Sequence, residues 1–85
     1  MRHIKLHVYT TMDEGIHEVV LNKKTITRVE NCTMSRTGIS EEEMETFGIK
    51  PEMIGKYPTV IYENGKEITD LFVESVGYIY KLLEE

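Results

Sequence analysis

The chain has one cysteine and no alanine or glutamine among its 85 residues. A lone thiol, Cys32, excludes an internal disulfide framework. No run reaches the roughly 18 apolar residues that a transmembrane helix needs, so no membrane span is expected. The start, Met1-Arg2-His3-Ile4-Lys5, has no apolar h-region, and no secretory signal is expected. There is no basic stripe with interleaved aromatics, which argues against a nucleic-acid partner. Neither a Gly-x-Ser-x-Gly elbow nor a phosphate-cradling glycine loop is present. These absences point to a single cytoplasmic domain spanning residues 1–85, small enough that its core must be used efficiently.

What is present is unevenly charged. Residues 1–40 carry six Lys/Arg against four Asp/Glu, whereas residues 41–85 carry four against eleven. An acidic block of this kind is ordinarily a solvated surface. From His3 to Thr10 the residues alternate, with Ile4, Leu6 and Val8 opposite Lys5, His7 and Tyr9, the pattern of a strand with one buried face. A helix is expected next, capped by Thr11 or Asp13, with Ile16, Val19, Val20 and the stem of Lys23 on one face. Gly15 weakens that helix. Thr25 to Cys32 reads as a second strand at a sheet edge, open to pairing between copies. Ser40 and Glu43 form a capping box for a short helix that stops near Gly48, and Pro51 starts a further turn.

The stretch "GKYPTVIYENGKEI", residues 55–68, places a proline before a β-branched run that ends in Asn-Gly. Proline cannot donate to a strand ladder, so Pro58 is expected at the start or edge of a strand. Asn64-Gly65 supplies the positive φ angles of a tight hairpin, with Lys66 to Thr69 returning. Asp70 is then expected to cap a last helix with Phe72, Val76, Ile79 and Leu83 as its buried stripe. Gly77 within it implies close approach of a neighbour.

This element order, with "YPTVIYENGKEI" and "LFVESVGYIYKLLEE" in its second half, resembles the thioredoxin-like family in its glutaredoxin-sized form. The resemblance implies an α/β fold of order β-α-β-α-β-β-α: a four-stranded mixed sheet with helices on both faces. It also implies a cis bond between Tyr57 and Pro58, against a background of about 5% for X-Pro bonds. The family's redox site is a cysteine between the first strand and first helix, and the matching "YTTMDEGIH", residues 9–17, has none. Thr11 cannot form a mixed disulfide, and Asp13 and Glu14 would repel a thiolate. The glutathione-contacting Gly-Gly-x-Asp segment is missing as well.

The expected function is therefore a redox-inactive module that binds protein or extended peptide in a groove lined by Thr11, Met12, Asp13, Tyr57, Pro58 and Thr59. Met12 and Tyr57 would supply adaptable and aromatic contact area. The alternatives are a glutaredoxin-like, thiol-dependent enzyme working through Cys32, and a small phage or mobile-element regulator that blocks a host protein. Cys32 is expected away from the proline, as a small buried hydrophobe. His3 and His7 lie about 13 Å apart at roughly 3.3 Å per strand residue, too far to share one zinc ion. No metal and no cofactor are expected, and the chain should be a monomer or weak homodimer.

Overall fold

The computed structural model describes residues 2–9, 15–33 and 39–85. The alternating segment forms β1, His3–Tyr9, as its pattern requires. The expected helix is instead a second strand, β2, Ile16–Asn22. It runs antiparallel to β1 from Tyr9↔Ile16 to His3↔Asn22. The spacing of Ile16, Val19 and Val20 fits a helix face, but these three are β-branched and stiff at χ1, which favours a strand. Gly15 enters it at φ 147°, a backbone conformation outside the helical region that favours glycine.

A 3₁₀ turn, Lys23–Thr25, leads into β3, Ile26–Asn31. The Ser40–Glu43 capping box is present and starts α1, Glu41–Phe47, which ends at Gly48 in the left-handed conformation. A second 3₁₀ turn, Pro51–Met53, precedes β4, Ile54–Glu63. Asn64 and Gly65, at φ 52° and 81°, then turn the chain into the short β5, Lys66–Glu67, as the Asn-Gly signal demands.

Asp70 caps no helix. Phe72–Glu74 forms β6, and α2, Val76–Glu84, begins after Ser75, whose hydroxyl accepts from the Tyr78 amide. Phe72 and Val73 are both buried and belong to different core clusters. A strand between two others can bury successive residues on opposite faces, and a one-faced helix cannot. Gly77 faces open space, contrary to the expectation for it. The close approach is at Gly55, where an added Cβ would meet Ser75 Cβ at 3.1 Å.

The strands join in one sheet of order β2-β1-β6-β4-β3, with β5 also on β4, and every pair is antiparallel. This overturns the expected four-stranded mixed α/β sheet with helices on both faces: among the described residues, six antiparallel strands and two α-helices stand in its place. The cause is local. Once residues 16–22 pair directly with β1, no helical crossover remains to bring a parallel strand alongside it. Ile4, Leu6, Val8, Val29, Ile61, Phe72 and Ile79 form the larger core, with Val76, Leu82 and Leu83 of α2 packed on it. A smaller cluster of Ile16, Ile49 and Val73 gathers Tyr9, Met44, Phe47, Met53 and Ile54.

Pro58 lies neither at an edge nor at the start of a strand. Between Ile54↔Glu74 and Thr59↔Phe72, β4 advances five residues while β6 advances two, so residues 55–58 bulge out of the ladder. A bulge is the one interior position of a sheet where proline costs no ladder bond. The Tyr57–Pro58 bond is trans, which corrects the expected cis bond.

Candidate functional site

Of the six residues expected to line a binding groove, Thr11, Met12 and Asp13 lie outside the described residues. The other three do not share a surface. Tyr57 is exposed, with the Lys56 ammonium 5.6 Å from its ring centre. Pro58 and Thr59 are buried, and the Thr59 hydroxyl donates to the Glu74 carbonyl at 2.6 Å. Cys32 is half-buried, and its amide donates to the Pro58 carbonyl at 2.9 Å. The thiol residue is thus beside the proline, not remote from it. His3 and His17 are exposed, and among the described residues no group of three metal-ligating side chains converges.

The polar cluster that the fold does assemble centres on His7. Glu74 is fully buried, and both its oxygens are used. Oε1 accepts from the His7 amide at 2.9 Å, and Oε2 lies 2.6 Å from His7 Nδ1. In the tautomer protonated at Nδ1, the imidazole donates the short bond to Oε2. A buried carboxylate is tolerable only when paired and hydrogen-bonded in this way. On its other side, His7 Nε2 is 3.8 Å from Glu18 Oε2, and the Phe47 ring meets the imidazole edge-on at 5.4 Å between centres. Lys5 Nζ approaches the same Glu18 oxygen at 3.9 Å. Tyr78 senses the cluster: burial first, then the charges of Glu74 and Glu85, push its phenol above the ordinary 10.0.

A carboxylate-oriented imidazole is half of a general-base pair. Here Nε2 is buried and has no hydrogen-bond partner among the described residues. The pair is a clasp that ties β6 to β1 and, through Glu18, to β2. The alternation of β1 groups His7 with Lys5 and Tyr9, and nothing near it in sequence announces a partner 67 positions away.

Among the described residues the strand pairing leaves β2 and β3 at the two ends of the sheet, and the two-residue β5 is also paired on one side only. The Lys23 amide donates to the Arg2 carbonyl at 2.8 Å, so Arg2 and Lys23 form a hydrogen-bonded pair. By the alternation of an antiparallel ladder, Leu21, Val19 and His17 turn their main-chain groups toward β1, while Ile16, Glu18 and Val20 turn theirs outward. Among the described residues nothing pairs with those three, and Val20 is 59% exposed. At β3 the outward carbonyl of Val29 accepts from the Tyr80 hydroxyl at 3.2 Å, and the strand bulges between Ile26 and Arg28. The edge closed by the fold is β3, where pairing between copies is expected from sequence; the open one is β2.

Comparison with protein-family models, with curated proteins and with solved structures finds no match. No helix among the described residues is long and apolar enough to cross a membrane.

Proposed function

We propose that this chain is a non-enzymatic binding module that takes an extended segment of a protein along β2. One observation carries the reading: β2 is a seven-residue strand paired on one side only, with the outward main-chain groups of Ile16, Glu18 and Val20 unoccupied. An open strand edge is a template for strand addition, in which main-chain bonds give affinity and alternate side chains give selectivity. Glu18, which could guard the edge, is drawn back over β1 by Lys5 and His7. The one cysteine supports the absence of dithiol exchange, which needs two thiols, and fits a reducing compartment such as the cytoplasm.

The experiment compares capture from host lysate by the wild type and by Val20→Pro. The Val20 amide points away from β1, so proline there removes an outward donor without breaking the ladder. The expected result is a partner held by the wild type and lost by the variant, with Glu18 and Val20 amides protected from hydrogen exchange in the complex. A partner retained by the variant, or protection confined to other strands, would refute the assignment of β2.

A further inference from the structure

We infer that the extended segment which β2 accepts is β2 of a second copy, paired antiparallel about a two-fold axis through Val19; this rests on the reading of β2 as the accepting edge. The two-fold operation makes any such contact self-complementary, so the sequence of the strand itself decides whether it is allowed.

Of the registers that bring outward residues opposite outward residues, three overlap five or more residues of the strand. Centring on Glu18 sets two carboxylates directly across from each other, a destabilising like-charge pair. Centring on Val20 shortens the overlap to Glu18–Asn22 and leaves Ile16 and His17 without a partner. Centring on Val19 uses the whole of Ile16–Asn22 and sets Glu18 opposite Val20 of the second copy. The two Val19 side chains then meet in a close, non-hydrogen-bonded pair, with Leu21 of each copy beside them. Val19 and Leu21 are half-buried and already pack against the larger core. A second β2 therefore continues that core across the axis and covers the apolar run Val19-Val20-Leu21. No like charges oppose in this register, and each Glu18 remains with its own Lys5 and His7.

The test measures solution mass by sedimentation up to about 1 mM protein, a range that reveals even weak association. It uses the wild type, Val20→Glu, which sets a second carboxylate opposite Glu18 of the other copy, and Val20→Pro, with circular dichroism as the check on folding. The wild type is expected to form dimers reversibly. Each variant should weaken association at least about tenfold, since symmetry makes every substitution act twice. In a Cys32→Ser background, Val19→Cys should cross-link with diamide as oxidant, because cysteines across a close strand pair meet disulfide geometry. Cross-linking through Val20→Cys and not Val19→Cys would overturn the register. A wild type that stays monomeric throughout, or a dimer indifferent to both Val20 variants, would overturn self-pairing. A monomeric wild type that still holds a lysate partner through Glu18 and Val20 would overturn only the second copy, leaving the binding edge intact.

Discussion

The two edges of the sheet are treated differently. On β3, Arg28 and Glu30 form an ion pair at 2.8 Å, the strand bulges, and Tyr80 from α2 occupies the Val29 carbonyl. Charge, irregularity and a covering element are the usual devices that keep an edge from recruiting another chain. On β2 the register is unbroken over seven residues, its central apolar run is uncharged, and no helix hydroxyl reaches its outward groups. An edge with no outward partner among the described residues, beside one that is bulged, charged and occupied at Val29, is the physical ground for proposing β2 as the binding edge. It also shows that the fold could have closed both.

The largest way to break this contrast lies at the seam between the two halves of the sheet. The His7–Glu74 clasp holds the β1–β2 hairpin to β6, and so to the β4–β3 side. His7→Ala leaves Glu74 buried and uncompensated, which should cost about 3–5 kcal/mol. Urea unfolding measures this, and hydrogen exchange should show β2 and β1 loosening before β3. Replacing both residues, His7→Leu with Glu74→Met, should recover much of the loss, since an apolar pair needs no compensation. Recovery stays partial because the His7 amide loses its acceptor. A His7→Ala protein as stable as the wild type would show that the clasp does not hold the halves together.

This seam also marks how far the sequence could be read. Signals within a few residues were legible: the alternation of β1, the Ser40–Glu43 capping box, the left-handed Gly48 and the Asn64-Gly65 turn all stand where expected. The misreadings fall where a distant partner decides. Ile16, Val19 and Val20 satisfy helical and strand spacing alike until β1 supplies a ladder. Phe72 and Val73 continue the apolar stripe of the last helix until a slot between β1 and β4 takes them as a strand. Glu74 resembles any acidic residue before a helix, and only the remote His7 makes it a core residue. Pro58 reads as a strand start or edge because the extra residues of a bulge show only against the facing strand. For the proposed binding edge, alternation in the sequence marks strands but cannot say which of them stays unpaired.

Smaller effects sharpen the contrast. Gly55→Ala forces a methyl group against Ser75 on the β4–β6 seam and should cost about 1–3 kcal/mol in thermal unfolding, with both edges loosened together. A stable Gly55→Ala protein would show that this approach can relax. Tyr80→Phe removes only the hydroxyl that occupies Val29, at about 0.5–1.5 kcal/mol. Its informative consequence is association: β3 becomes a second open edge, and the variant should form species beyond the dimer at high concentration. If its mass distribution matches the wild type, the bulge and charges of β3 close that edge without Tyr80.

The mildest perturbation is alkaline pH, which reaches β3 through Tyr62. Tyr62 on β4 donates to Glu30 at 3.0 Å and Glu67 at 3.2 Å, and Arg28 lies over its ring. The hydrogen bond to Glu30, then burial, then the bond to Glu67 raise its phenol above 10.0. Past pH 10 the unfolded chain releases this proton while the folded chain keeps it, so the stabilisation is complete below that pH and declines above it. The decline should be shallower in Tyr62→Phe, with a remainder from Tyr78, whose phenol is raised too. Glu30→Gln should return the Tyr62 titration, followed by ring resonances, toward its ordinary value. Because Glu30 belongs to β3, its amides should exchange faster above this titration relative to the base-catalysed rate expected at each pH, while those of β2 stay in step with that rate. Equal acceleration at both strands would mean that the Tyr62 cluster does not fasten the closed edge, leaving the bulge and Tyr80 to account for it.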